Sequence, residues 1–250
     1  HRDLHLSIRR QRQMCIRDSI CNDRLKYDRL VSLMDIETKA RILDSAEQLF
    51  AEYGFSATSI RQITNAADVN IAAVNYHFGS KEELLHAVFK RRVGPINTER
   101  VKTLRALQEE TKDNEPDLEQ VMRAFLEPAF RATEFYGSHG AKFLQLVGRM
   151  HSETNEQLRS SFFQLFDEVA QHFGPAFKHV LPHLSTEEII WRVHFVIGSL
   201  AHILVCTQMT NPGMGNVKIE RSDVLLEALV QFCTAGMAAA VPTQTTVQSV

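Results

Sequence analysis

The stretch from Thr58 to Leu84 constrains this chain more than any other, because two short segments of helical apolar spacing stand on either side of a three-residue connection. Ile60, Ile63 and Ala67 recur on one face of the first segment, and Val74 and Phe78 form an i, i+4 pair on the second. Asp68, Val69 and Asn70 lie between them, with Val69 placed to plug the junction and Asn70 placed to cap the next helix through its side-chain oxygen. The second helix then presents Ala72, Ala73, Asn75 and Tyr76 outward. These side chains are small or form hydrogen bonds, as a helix requires if it is to lie in a major groove and approach base edges closely. The layout is that of a DNA-reading helix-turn-helix.

The flanking segments complete the pattern. Ile42, Leu43, Ala46, Leu49, Phe50 and Tyr53 make an amphipathic stripe that Gly54 ends, and Phe55 enters the turn before Thr58. Ser80 and Glu83 form a capping box at the start of another helix, which carries Leu84, Leu85, Val88 and Phe89 along one side. Tyr76-His77-Phe78 followed by Ser80-Lys81-Glu82-Glu83-Leu84-Leu85 resembles the signature of the TetR family of one-component transcriptional regulators, and the resemblance covers about residues 36 to 92. It implies phosphate contacts for Tyr76, His77 and Lys81, and a base contact within reach of Arg61. Thr58 or Ser59 would cap the second helix and add a phosphate contact. The residues also admit plainer roles: Tyr76 packing on a neighbouring helix, His77 capping carbonyls, and Arg61 solvated.

Net charge does not announce nucleic acid, since residues 35–93 hold seven Lys/Arg against eight Asp/Glu. The signs are unevenly placed, with Asp44, Glu47 and Glu52 on the first helix and Arg61, His77 and Lys81 around the reading head. Backbone N–H groups at the helix starts near Ser59 and Lys81 add phosphate donors. Binding is therefore expected to be modest and salt-sensitive.

Beyond the capping box, Gly94-Pro95 is expected to bend or break the connecting helix, with a second amphipathic piece from Thr98 to Glu110 and a polar loop from Thr111 to Asp117. The remainder reads as helices over roughly 117–136, 139–151, 154–180, 186–209 and 221–240, with punctuation at Leu181 to Ser185 and at Asn211 to Asn216. Ser185 with Glu188 makes another capping box. Gly198, Ala201, Ala228, Ala235, Gly236 and Ala239 give the last two helices small faces that suit close approach, so they are expected to form a four-helix interface in a homodimer. Burial within one monomer is the alternative.

The body is rich in aromatic and aliphatic residues, most of them ordinary core. A subset is expected to line an elongated apolar cavity: Phe125, Phe143, Val147, Met150, Phe166, Trp191 and Phe195, with Arg149, His151, Arg192 or His194 meeting a polar head. For Arg192 and His194 a structural role weighs equally. Trp191-Arg-Val-His-Phe195 together with Val74 to Ser80 is similar to the branch of the family that includes fatty-acid-responsive repressors from pseudomonads, which implies a long-chain acyl ligand such as a fatty acid or acyl-CoA. A regulator of an unrelated hydrophobic drug or metabolite, or an architectural DNA binder without ligand, is the alternative.

The 250 residues carry a formal net charge of −2 and 44% hydrophobic content, enough for a large core. The most apolar segment, Ile189 to Cys206, is interrupted by Arg192, His194 and His202, so no run suits the roughly 18 to 20 residues of a bilayer span. Cys15, Cys21, Cys206 and Cys233 lack metal-type spacing, and a reduced cytoplasmic setting with no metal or cofactor is expected. Pro182 spoils His179 and His183 as a helical metal pair, and no phosphate loop, nucleophile elbow or paired acid and base is found, so no catalytic residue is assigned. Gln11 to Ser19 resembles translated sequencing adapter. Residues 1–33 are therefore expected to be a non-native or disordered extension, with a basic arm on DNA as the alternative and translation beginning at Met34. The whole reads as all-α: a three-helix helix-turn-helix DNA-binding domain over 34–80, a helical ligand-binding and dimerisation domain over 81–241, and a disordered tail over 242–250. Operator DNA, a small hydrophobic effector and a second copy of the chain are its expected partners.

Overall fold

The computed structural model describes residues 33–110, 115–135, 137–151, 153–206 and 223–241, apart from the side chains of 133–135, 137–139, 141, 151, 205 and 206. The expected extension before residue 33, the loop 211–216, the tail 242–250 and the side chain of His151 lie outside the described residues. Among those described there are ten helices and no strand. They are α1 (33–53), α2 (Ile60–Ala67), α3 (Ile71–Phe78), α4 (Lys81–Glu110), α5 (Leu118–Phe135), α6 (Gly137–His151), α7 (Glu156–Gln164), α8 (Asp167–Val180), α9 (Thr186–Cys206) and α10 (Asp223–Ala238).

Two expected boundaries are corrected. Gly94-Pro95 does not break the connecting helix, because α4 runs unbroken from Lys81 to Glu110 with Pro95 inside it. A proline removes one backbone donor and crowds the preceding turn, but Val93, Ile96, Val101 and Leu104 are all buried around it, and this packing holds the helix in register on both sides. In contrast, the segment expected as one helix over 154–180 divides at Leu165-Phe166 into α7 and α8. No proline or glycine marks that point in the sequence.

The buried side chains form two clusters. One joins α1, α2 and α3 to the first turns of α4, and it also takes in Phe143, Leu146 and Met150 of α6 and Leu158 and Phe162 of α7. The other is the body core, built from the later turns of α4 with α5, α8, α9 and α10. Packing therefore does not stop at residue 81. Phe89 of α4 is 1% exposed and stacks edge-on against Phe162 at 4.7 Å and Phe143 at 6.3 Å. Each such aromatic contributes about 1.5–3 kcal/mol on burial, so head and body share stabilisation through this seam.

Candidate nucleic-acid interface and its seam to the body

The head is built by caps. Ser59 is the N-cap of α2 and forms a reciprocal box with Gln62, Oγ accepting from the Gln62 amide at 3.2 Å while Gln62 Oε1 accepts from the Ser59 amide at 2.7 Å. Asp68 ends α2 in the left-handed region at φ 52°, which a short polar side chain tolerates. Asn70 then caps α3, Oδ1 accepting from the Ala72 amide at 3.0 Å, as the sequence led us to expect. Ile63, Ala67, Val74 and Phe78 are buried, and Val69 packs against the same cluster.

This arrangement turns one face of α3 to solvent. Ala72 and Asn75 are exposed and Tyr76 is 80% exposed, so Tyr76 does not pack on a neighbouring helix. Ile71, at the first turn of α3, is also exposed, and the pattern of apolar spacing in the sequence did not single it out. Arg61 is exposed on α2. Ala73 departs from expectation, being half-buried against the head cluster.

Three of the expected phosphate contacts have neighbours within the head. Thr58 is 1% exposed and its hydroxyl donates to the carbonyls of Gly54 at 2.8 Å and Leu49 at 3.2 Å, so it closes the α1–α2 turn and Ser59 alone is the cap. His77 lies with Nε2 3.5 Å from Asp35 Oδ1 of α1. Lys81 places Nζ 4.1 Å from the centre of the Phe55 ring, and burial there lowers its ammonium below the usual value. Its charge remains beside the amino end of α4.

A buried carboxylate fixes the head on α4. Glu47, counted in the sequence among the acidic residues of the first helix, is 2% exposed and accepts from Arg91 Nη2 at 2.7 Å and from Arg92 Nε and Nη2 at 2.9 Å each. The sequence hid this cluster because its members are 44 and 45 positions apart. A second tie comes from α6: Arg149 donates through Nε to the Ala51 carbonyl and through Nη2 to the Glu52 carbonyl, both at 3.0 Å. It thereby caps the carboxyl end of α1, where the helix dipole favours a cation. Gly54 follows with φ 86°, and a β-carbon there would stand 3.3 Å from Arg149 Nη1. Beside this latch lies a pocket of about 220 Å³ lined by Gly54, Phe55, Leu85, Leu146, Arg149 and Met150.

The expected ligand-lining residues do not converge on one cavity. Phe125 is in the body core against Phe173 and Phe177. Phe143, Val147, Met150 and Phe166 belong to the head-side cluster. Trp191 and Phe195 are 58% and 67% exposed and His194 is exposed with them, its Nδ1 2.8 Å from the Ile190 carbonyl. The face of α9 that turns inward carries Ile189, Arg192, Val196 and Leu200 instead. Both faces of α9 are apolar in sequence, so periodicity gave no means of choosing between them. Arg192 is buried and donates to the Met237 and Ala239 carbonyls at 2.6 Å each, capping α10.

A cap-ordered pair of short helices that lifts one polar helix face clear of its core is the geometry of a major-groove reader. Comparison with known proteins agrees. The model of the bacterial regulatory proteins of the tetR family matches residues 42–88, and that of the tetracyclin repressor-like C-terminal domain matches residues 123–236. The chain belongs to the TetR family of transcriptional regulators. It is 46% identical over 52 residues to the HTH-type regulator YttP of Bacillus subtilis, a match covering 21% of this chain and 25% of that protein. The match thus spans about a quarter of that relative's length. Among solved structures, the fatty acid degradation regulator FadR of Bacillus halodurans superposes with a TM-score of 0.58 at 18% identity, covering 81% of this chain and 97% of that one. FadR of Bacillus subtilis in complex with stearoyl-CoA gives 0.54 at 15% identity, covering 79% and 98%. These two likenesses concern the fold.

Proposed function

We propose that the protein is a homodimeric repressor that places two copies of α3 in successive major grooves of an operator and is released by a small hydrophobic effector, a long-chain fatty acid or its coenzyme A thioester. The observation that carries the DNA-reading half is the outward face of α3, where Ala72, Asn75 and the 80% exposed Tyr76 stand clear of the head core. Asn75 supplies donors and an acceptor for base edges, exposed Ile71 suits a thymine methyl group, Arg61 reaches a base, and Tyr76 and Lys81 are the phosphate contacts. Ser59 and Asn70 act chiefly by fixing the helix starts.

The dimer reading is supported by an apolar face left open on the last two helices. Ile190, Trp191, Phe195 and Ile197 of α9 and Val224 and Phe232 of α10 are exposed, with Gly198, Ala228 and Gly236 among them. Exposed apolar side chains on two neighbouring helices suit a protein–protein contact, and a two-fold operator calls for a two-fold protein. The acyl reading is supported by the aromatic body core, by the resemblance to the pseudomonad branch, and by the shared fold with a fatty acid degradation regulator and with a transcriptional regulator in complex with stearoyl-CoA. Effector binding favours a conformer whose heads are displaced from the operator spacing, and the Glu47 cluster and the Arg149 latch pass that displacement to α1.

The test is fluorescence anisotropy of labelled upstream intergenic DNA with the wild type and with a Tyr76→Ala, Lys81→Ala double variant, each with and without palmitoleic acid and its coenzyme A thioester. Wild-type binding that the variant loses, and that either acyl compound relieves, supports the reading. Full affinity in the variant rejects the α3 interface, and indifference to both compounds rejects the effector class.

A further inference from the structure

The cavity beside the Arg149 latch belongs neither to the outward face of α3 nor to the body core. Its volume of about 220 Å³ exceeds the roughly 150 Å³ that admits benzene and falls short of the roughly 300 Å³ at which drug-sized sites begin. A single ring with a short polar arm suits that size, and a long acyl chain does not.

The floor of the cavity is apolar. Leu85 of α4 and Leu146 and Met150 of α6 are each no more than 3% exposed. Phe55 stands beside them, half-buried, with its ring 5.7 Å from that of Phe50 and the Lys81 ammonium over it at 4.1 Å. Gly54, held at φ 86°, leaves the wall next to Arg149 without a side chain.

The rim carries both signs of charge. Arg149 donates to the carbonyls of Ala51 and Glu52, which are neutral acceptors. Glu153, just beyond the end of α6, lines the same cavity. Its Oε1 accepts from the Asn155 amide at 3.0 Å, and among the described residues no cation pairs with the carboxylate. A cation and a carboxylate above an apolar floor complement a zwitterion better than an apolar or singly charged ligand, since each charge of the ligand then meets its opposite.

We propose that this cavity binds an α-amino acid with an aromatic side chain, its ring on the floor, its carboxylate on Arg149 and its ammonium on Glu153. The site is separate from the acyl-effector reading and does not rest on it. A carboxylate is a stronger acceptor for a guanidinium than a peptide carbonyl is, so the occupant draws Arg149 away from the carboxyl end of α1. Helix α1 then keeps its tie to α4 through Glu47 and loses its tie to α6. The amino acid thereby loosens the head on the body without entering the body core.

The test is calorimetric titration of the full chain with L-phenylalanine, with 3-phenylpropionate, which lacks the ammonium, and with phenethylamine, which lacks the carboxylate. Wild type is expected to bind L-phenylalanine at least about tenfold more tightly than either analogue. Glu153→Gln is expected to erase the preference over 3-phenylpropionate alone, and Arg149→Gln the preference over phenethylamine alone. Glu153 is only half-buried and lies outside the helices, so Glu153→Gln should keep the wild-type Tm even if Arg149→Gln lowers it. Saturation with L-phenylalanine should speed hydrogen exchange of the backbone amides at the end of α1, around Gly54. Equal binding of the three compounds overturns the zwitterion site, and no heat from L-phenylalanine at millimolar concentration overturns the site altogether. Tight binding that leaves exchange at the end of α1 unchanged overturns the release of Arg149. Neither result bears on whether palmitoleic acid relieves operator binding.

Discussion

Replacing Glu47 with alanine removes the carboxylate through which α1 is fixed to α4. Three charge-assisted hydrogen bonds are lost, at 2.7, 2.9 and 2.9 Å. Deleting one partner of a fully buried pair costs about 3–5 kcal/mol, most of it from the charge left behind. Here the arginine side chains retain 25% and 14% exposure, and Arg91 keeps Asp44 at 2.7 Å. Solvent therefore screens part of the loss, which lowers the expected cost to about 2–3 kcal/mol. At about 2–4 °C per kcal/mol for a chain of this size, the melting temperature should drop by about 4–12 °C. Scanning calorimetry at fixed protein concentration reads this directly, and Glu47→Gln, which keeps the shape and one acceptor, should fall between the two. A drop below about 1 °C would refute the reasoning, since it would mean that the arginines lose nothing when the carboxylate goes.

Three further outcomes are expected. Tyr76→Ala should weaken operator binding about 5- to 30-fold, the order of one or two kcal/mol for a lost contact, with no change in Tm because the side chain touches little of the head core; gel shift and calorimetry read the two quantities separately. Arg149→Gln should leave effector binding intact and reduce the effector-induced loss of DNA affinity by about 5- to 30-fold, the range of a coupling of one to two kcal/mol, as measured by operator titrations with and without ligand. Phe195→Glu or Phe232→Glu should convert the dimer to monomer in analytical ultracentrifugation, because each places a charge on the exposed apolar face of α9 and α10.

The parts of this fold that were legible in the sequence are local ones. The two short helices, the Asn70 cap, the αL glycine after α1 and the stripes of Ile63, Val74 and Phe78 depend on neighbours a few positions apart, and spacing reports them. Long-range partners were not legible. Glu47 reads as surface charge until Arg91 and Arg92 are placed beside it, and Arg149 reads as a ligand contact until the end of α1 comes within reach. Arg100 and Asn97 are polar residues that local spacing does not place inside the body, and both are buried. Pro95 misled in the opposite sense, because the penalty of an interior proline is local and the packing that outweighs it is tertiary. Trp191 and Phe195 were assigned inward on hydrophobicity alone, which cannot distinguish a core from an open face.

The central claim is that α3 reads a two-fold DNA site. Its most direct measurement is selection of duplexes from a randomised library by the full chain, followed by anisotropy titration of the enriched sequence. The expected result is an inverted repeat whose half-site centres lie one helical turn or a small multiple apart, about 34–36 Å per turn, bound by one dimer and lost with Tyr76→Ala, Asn75→Ala. Enrichment of no sequence, or of one that the double variant binds as well as wild type does, would contradict it.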